Sequence, residues 1–355
     1  MKKFIIKIIV LLMPFAIFIA TINFFIDPAH IFSNGNYEKR VADILIKGNN
    51  INNLRNFDER LAVKNIISKL PYKPQVVAIG TSRLLQMSSD FFPNSKFLNC
   101  SMSHASLKDF IAVIGLLDSS QKLPSEIFLE TSPTIINSSN SDEWESIREY
   151  YQYGISKMGI NSNDKGENIQ FDVFKKKITA LFSFAYFQSS VARFSIRHQN
   201  AFKDVGKTIP QNFGRLSDFS IIYPKSYHTP DTLKAMADAK IFVSKTAIPK
   251  ISSKELGVLK NVLAYLKEKN VKVTLVNIPF QPDCFNLLNQ KNNLFDGLTN
   301  AIKSFAVSNN VALVGTFDPN NAGLKRSQFW DQIHCDKEGL RKVVNIILYN
   351  PYLKN

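Results

Sequence analysis

The sequence has 355 residues, of which 45% are hydrophobic and 21% are charged, and its net charge is +15. This composition excludes a largely disordered chain and suffices for one large domain, or for one domain with a substantial insertion. The basic excess favours an anionic partner such as lipid headgroups, an acidic polymer or nucleic acid. We set nucleic acid aside because the first residues direct the chain to a membrane.

Residues 4–26 are predicted to form a membrane anchor. The 19 residues from 8 to 26 include no charged side chain, and a helix of that length spans about 30 Å, the thickness of the hydrocarbon core. No cleavage pattern precedes Asp27, so a retained anchor is favoured over a cleaved signal peptide. Three lysines flank the run on its N-terminal side and should keep that end in the cytoplasm: Lys2, Lys3 and Lys7. We therefore expect a single-pass protein of the inner (cytoplasmic) membrane with its main domain extracytoplasmic, on the periplasmic or cell-surface side.

The remainder divides into a connector at 27–73 and a main domain at 74–355. Short apolar runs predict five buried strands, at 76–80, 97–99, 127–129, 273–276 and 311–314. Helical spacing predicts helices at 107–117, after the capping box at Ser252, at 294–305 and at 337–348. The alternation predicts an α/β domain with a mainly parallel sheet covered on both faces.

The stretch from about 137 to 250 breaks this rhythm and is predicted to be a mainly helical insertion. It is aromatic and basic, with Lys175-Lys176-Lys177 close to Phe182 and Phe184. Such a face suits a membrane surface or an acidic glycan. Aromatic residues at helical spacing more often belong to a core, and we favour the core interpretation here.

The first candidate for chemistry is Gly80-Thr81-Ser82-Arg83, directly after the first predicted strand. Ligands of open α/β sheets bind beyond the carboxyl ends of the strands, so the Ser82 hydroxyl is placed to act as a nucleophile. Helix capping would use the same residues, and for this motif taken alone it is the favoured interpretation. Arg83 opposes the helix dipole, which indicates contact with an acidic group or an anionic substrate. A solvated arginine or a local ion pair explains it as well.

The second candidate is Asp331-Gln332-Ile333-His334, before the last predicted helix. His334 can take the serine proton, and Asp331 can orient its imidazole. Asp331 and His334 could instead be a surface aspartate and a loop histidine, or two metal ligands, although no third ligand cluster supports a metal site. The chain has three cysteines, Cys100, Cys284 and Cys335, and their spacing is not that of a metal site. Their odd number leaves at least one of them unpaired in a monomer, while the other two could form a single disulfide. We expect no cofactor.

The third candidate is the loop from Asn99 to Ser106, after the second predicted strand. Its backbone N–H groups could form an oxyanion hole at the same crevice. The alternative is an ordinary polar loop that caps the next helix.

These motifs resemble the SGNH/GDSL hydrolase superfamily in their order and separation. The Asn99–Ser106 loop is similar to that family's second block, with His104 where a glycine is expected. The N-terminal helix, Asp27-Pro28 and the Ser82 motif resemble a subgroup of membrane-anchored proteins linked to acylation of envelope polysaccharides. The D-alanyl transfer protein of teichoic acid modification is a more distant relative.

The resemblance implies a three-layer α/β/α, flavodoxin-like fold with catalytic Ser82, Asp331 and His334. It implies oxyanion donors from Ser82, from Ser103 or His104, and from an asparagine after the third strand. Glu130-Thr131-Ser132-Pro133 stands there instead, and nearby Asn137 is a candidate substitute.

The resulting expectation is an esterase or O-acyltransferase that acts on a cell-envelope glycan through an acyl-serine. Its partners would be the glycan or acyl donor, the membrane and a membrane acyltransferase. The alternative is a catalytically impaired accessory protein that binds a glycan or docks the acyltransferase. A purely structural tether between membrane and envelope would need no triad and ranks last.

Overall fold

The computed structural model describes residues 2–33, 35–54, 56–133, 135, 143–161, 169–195, 202–227, 232–245, 251–290 and 294–351. Within them, twelve α-helices occur: α1 (Lys2–Ile26), α2 (Asn36–Leu45), α3 (Glu59–Lys69), α4 (Leu107–Ser119), α5 (Arg148–Lys157), α6 (Ile169–Phe182), α7 (Phe184–Ser195), α8 (Thr232–Lys245), α9 (Ser253–Glu268), α10 (Pro282–Asn289), α11 (Leu294–Ser308) and α12 (Lys337–Val344). The same residues form ten strands: β1 (Ile51–Asn52), β2 (Val76–Ile79), β3 (Phe97–Asn99), β4 (Glu126–Glu130), β5 (Lys203–Asp204), β6 (Gly214–Arg215), β7 (Ile221–Ile222), β8 (Lys272–Asn277), β9 (Ala312–Gly315) and β10 (Ile347–Tyr349).

The main sheet has six strands in the order β10-β9-β8-β4-β2-β3. All neighbours are parallel except β10, which runs antiparallel to β9. The five strands predicted from apolar runs all lie in this sheet. The chain is therefore a mixed α/β protein with a mostly parallel sheet, as predicted.

Alternate residues of β2 enter different cores. Val77 and Ile79 belong to a large cluster that also includes residues of α3, α4 and α9, whereas Val76 and Ala78 belong to a second cluster with residues of α12. Successive side chains of a strand point to opposite faces, so both faces of the sheet are covered. Because both faces are apolar, polar residues can gather at the carboxyl ends of the parallel strands.

A second, antiparallel sheet has the order β5-β1-β6-β7, with two residues in each strand. Its strand β1 comes from the predicted connector, and the other three come from the predicted insertion. The connector is integrated into the large core, because Val41, Leu45 and Ile66 on its helices are almost fully buried there. Connector and insertion thus build one structure beside the main sheet.

Two further differences from expectation concern the chain ends. The last helix ends at Val344, and Ile347–Tyr349 forms the edge strand β10 instead of continuing the predicted helix to 348. In the part of the chain that the structure describes, no helix combines the length and the apolar character needed to cross a membrane.

Candidate active site

Ser82 begins a short 3-10 helix, Ser82–Leu84, just beyond the carboxyl end of β2. Thr81 caps this helix, and its backbone N–H donates to the carboxylate of Glu130 at 2.6 Å. Its hydroxyl donates to the same carboxylate, whose two oxygens lie at 2.9 and 3.0 Å. A Cβ at Gly80 would lie 2.7 Å from that carboxylate, so only glycine allows this approach. The turn that carries Ser82 is thereby fixed to the end of β4.

His334 lies in a tight loop that returns on itself. The Trp330 N–H donates to the His334 carbonyl at 2.8 Å, and Phe329 pairs with Cys335 as an antiparallel bridge. The Gln281 N–H donates to the Gln332 carbonyl at 3.0 Å. These backbone bonds hold the imidazole on a defined frame at the sheet edge.

Ser82, His334 and Asp331 form a continuous relay. The His334 Nε2 lies 2.7 Å from the Ser82 hydroxyl oxygen, and its Nδ1 lies 2.6 Å from Asp331 Oδ2. The other carboxylate oxygen of Asp331 accepts the backbone N–H groups of Ile333 and His334, both at 2.9 Å. The three residues that the sequence suggested for chemistry are thus brought together with the geometry of a nucleophile, a base and its orienting acid.

The environment favours the ionised form of Asp331. Burial alone would raise its pKa, but the His334 hydrogen bond and charge, together with two backbone N–H donors, lower the pKa below its usual range. An ionised Asp331 accepts the Nδ1–H of His334. This leaves Nε2 as the acceptor that faces Ser82.

Arg83 is buried, and its guanidinium is directed at backbone carbonyls. It donates to Ile278 and to Pro279, the latter at 2.9 Å, and its Nε donates to Ile333 at 3.2 Å. Its exposed fraction is 5%, and the guanidinium lies 4.4 Å from the ring centroid of Phe280. The expected contact of Arg83 with an anionic substrate is not supported by this placement. The side chain instead joins the serine turn to the histidine loop.

Gln86 makes a second tie between the same two segments. Its amide donates to the Cys335 carbonyl at 2.6 Å, and its side-chain oxygen accepts the Trp330 indole N–H at 3.1 Å. Arg83 and Gln86 follow Ser82 by one and four residues, so the nucleophile and its base are held together by side chains adjacent to the nucleophile.

The expected oxyanion donors divide into three cases. Ser82 and His104 both line the cavity, and neither backbone N–H has an acceptor among the described residues. His104 has φ 52°, so it adopts the left-handed conformation that favours the glycine expected there. The Ser103 N–H is already used, since it donates to Glu59. Asn137 lies outside the described residues.

Sequence reasoning missed Glu59 and Arg215. Glu59, at the start of α3, accepts from both the Ser103 N–H and the guanidinium of Arg215 on β6. Arg215 is 2% exposed and also donates to the Phe219 carbonyl at 2.9 Å. The Glu59–Arg215 pair thus holds the Asn99–Ser106 loop through the Ser103 N–H. No spacing in the sequence indicates this arrangement, because Glu59, Ser103 and Arg215 come from three separated segments.

The relay opens into a cavity of about 1280 Å³, above the range of about 300–1,000 Å³ typical of small-molecule sites. One wall is aromatic. The rings of Tyr223 and Tyr227 are stacked at 5.4 Å, Phe213 packs edge-on against both, and Tyr223 lies 6.4 Å from the His334 ring. The size and this wall suit a large, partly apolar substrate better than a small ester.

The cysteines are separate from this chemistry. All three are free and buried, and burial raises the pKa of Cys335 to about 12, so its thiol stays protonated. Within the described residues, no three histidine, cysteine, aspartate or glutamate side chains are grouped as metal ligands would be.

Comparison of the sequence with protein-family models and with curated proteins gave no match.

Proposed function

We propose that this protein is an SGNH-type esterase or O-acyltransferase that modifies a cell-envelope glycan through an acyl-serine intermediate. The relay from Ser82 through His334 to Asp331 carries the proposal, with its contacts of 2.7 and 2.6 Å. The sheet supports the fold part. The five parallel strands lie side by side in the order β3-β2-β4-β8-β9. If these five are renumbered 1 to 5 along the chain, the order is 2-1-3-4-5, which is that of a flavodoxin-like three-layer α/β/α fold.

In the first half-reaction, Ser82 Oγ attacks the carbonyl carbon of an acyl ester, and His334 Nε2 takes the hydroxyl proton. The resulting oxyanion faces the N–H groups of Ser82 and His104. As the ester bond breaks, His334 returns the proton to the leaving alcohol, and the acyl group remains on Ser82.

In the second half-reaction, a hydroxyl enters the position that the leaving alcohol vacated. His334 takes its proton, the hydroxyl oxygen attacks the acyl-serine, and Ser82 regains its proton. Water as the acceptor gives hydrolysis, and a sugar hydroxyl gives transfer. The size of the cavity and the aromatic wall of Phe213, Tyr223 and Tyr227 support a sugar acceptor, since such rings pack well against an apolar sugar face.

The test is covalent labelling of the full chain with a fluorophosphonate probe, read by mass spectrometry of the Ser82 peptide. Labelling should be lost in Ser82→Ala and strongly reduced in His334→Ala. Ser308→Ala removes an exposed serine from α11 and should leave labelling unchanged. An unlabelled wild-type protein with a normal thermal melt would refute the enzymatic proposal.

The glycan acceptor needs its own experiment. The acylation profile of the envelope glycan should change in a deletion strain and return with the wild-type chain but not with Ser82→Ala. Full complementation by Ser82→Ala would support the second candidate, an accessory protein that binds the glycan or docks a membrane acyltransferase. Pro133 in place of the expected asparagine favours that candidate.

Membrane attachment is also proposed, on the basis of the uncharged run at 8–26 and its lysine flank. Several large apolar side chains of α1 are exposed: Phe15, Phe18 and Phe25 are 65%, 54% and 72% exposed. In this arrangement the catalytic domain is extracytoplasmic. Protease added to spheroplasts should digest it, and complete protection would contradict this topology.

A further inference from the structure

The helices α6 and α7 form a hairpin that packs on the C-terminal part of α1. The amide of Asn23 is fully buried and is directed at the carbonyls of Ala180, Leu181 and Ser183, at 3.0–3.1 Å. Its side-chain oxygen accepts the Ser190 hydroxyl at 3.1 Å. The hairpin turn is therefore fixed to α1 three residues before that helix ends.

The polar side chains in the apolar run of α1 are satisfied within the protein. Besides Asn23, the run contains Thr21, whose hydroxyl donates to the Ile17 carbonyl at 2.7 Å. Polar groups in an apolar solvent must find protein partners, because lipid supplies none. The hairpin gives Asn23 those partners. It thereby adapts this end of α1 to an apolar environment.

The turn of the hairpin exposes large aromatic residues. Phe182 and Phe184 are 54% and 58% exposed, and Phe174 on α6 is 60% exposed. The expectation that the aromatic residues of this stretch belong to a core therefore fails for these three. Their apolar surface is continuous with that of α1, since Phe187 of the hairpin lies 6.0 Å from Phe18.

The charge of the hairpin and its position along α1 indicate what covers this surface. Residues 169–195 include four basic residues and one acidic residue, and Lys175 and Lys176 are exposed. Asn23 precedes the end of α1 by three residues, which at 1.5 Å per residue is about 4.5 Å along the axis. With the carboxyl end of α1 at the edge of the hydrocarbon core, as the proposed anchor requires, the hairpin turn lies about this far inside it, close to the depth of about 5–10 Å at which interfacial helices lie.

We propose that the α6–α7 hairpin is an interfacial element that inserts Phe182 and Phe184 into an anionic lipid bilayer beside α1. The inference rests on the proposed membrane attachment of α1. Its consequence concerns access to the serine, because Tyr186 and Lys176 of the hairpin line the same cavity as Ser82. The cavity then opens beside the lipid surface, where an amphiphilic acyl donor resides.

The test places an environment-sensitive fluorophore on single introduced cysteines of the full chain in phospholipid nanodiscs. The three native cysteines are at most 1% exposed, so labelling is confined to the introduced sites. The test variants are Phe182→Cys and Phe184→Cys, and the anchor control is Phe15→Cys. The aqueous control is Val307→Cys, since Val307 is 47% exposed and lies at the end of α11, at the sheet edge opposite Ser82.

The emission of fluorophores at positions 182 and 184 should shift to shorter wavelength. Spin-labelled lipid should quench it as strongly as it quenches the fluorophore at position 15. The fluorophore at 307 should do neither. Lys175→Glu should weaken quenching at 182 in anionic discs and leave it unchanged in zwitterionic discs. Quenching at 15 with aqueous spectra at 182 and 184 would overturn the interfacial hairpin alone. Absence of quenching at 15 would overturn the membrane attachment, and the hairpin inference with it.

Discussion

The replacement Asp331→Asn tests whether Asp331 sets the tautomer of His334. In the wild type, Asp331 Oδ1 accepts two backbone N–H groups at 2.9 Å while Oδ2 faces His334 Nδ1 at 2.6 Å. An amide has one acceptor and one donor end. If the donor end faced the two N–H groups, both would be left unpaired, at a cost of about 1–3 kcal/mol each.

The amide oxygen must therefore stay on the two N–H groups, and the NH₂ must face His334. Nδ1 then has to accept, so the ring proton moves to Nε2, which can no longer take the proton of Ser82. We expect acylation of Ser82 to slow by about 10⁴-fold. Loss of the serine itself should lower the rate of ester hydrolysis further, by about 10⁶-fold. The variant should still unfold cooperatively because both backbone hydrogen bonds remain, and its thermal stability at neutral pH should fall only by the part that depends on the charge of Asp331.

The assay is the rate of fluorophosphonate labelling at Ser82, together with hydrolysis of an activated ester. Asp336→Asn is the matched control. It makes the same chemical change two residues after His334, and an asparagine caps α12 as well as the aspartate that now accepts the Gly339 N–H at 2.6 Å. If Asp331→Asn labels within tenfold of the wild type with an intact melt, the tautomer argument is refuted.

Three further predictions concern the same site. Ser82→Ala and His334→Ala should each abolish acyl transfer, and the double variant should be no worse than either in the same assay, because the residues act as one unit; additive losses would contradict this. The lowered pKa of Asp331 contributes stability that is complete above the unfolded pKa of about 3.9 and is lost as pH falls through the pKa of the folded state. In urea unfolding measured against pH, Asp331→Asn should therefore lose less unfolding free energy at acid pH than the wild type. An equal loss in the two proteins would contradict this. Cys335→Ala should keep most activity and lower the unfolding free energy by about 1 kcal/mol, since the neutral thiol only packs; an inactive but folded variant would indicate a chemical role.

The sequence predicted those features that depend on local pattern. Apolar runs identify β2, β4 and β8 because buried parallel strands are apolar on both faces. Ser82 after a strand and Asp331 three residues before His334 are each weak signals alone, and the three residues were predicted together because their order and separation resemble a known family. The helix predicted to run to residue 348 was wrong at its end, because Ile347–Tyr349 pairs with β9 instead of extending the helix.

The remainder depends on contacts between distant segments. The second sheet joins Ile51 to residues 204 and 215 through strands of two residues, which are too short to leave a periodic signal. Glu59, likewise, gains its role only from Ser103 and Arg215. The first-turn position of Arg83 favours an acidic or anionic contact, because the backbone carbonyls of Ile278 and Pro279 that accept its hydrogen bonds cannot be located from the sequence.

The relay joins the turn after β2 to the loop before α12, with a sequence separation of 252 residues between Ser82 and His334. During synthesis, a chain that is still emerging from the ribosome contains Ser82 long before it contains His334. Without His334, Ser82 is an ordinary alcohol with negligible nucleophilicity. Under the proposed function, Ser82 therefore becomes reactive only after the loop before α12 has been synthesised and has docked, and an incomplete chain would have no activated serine.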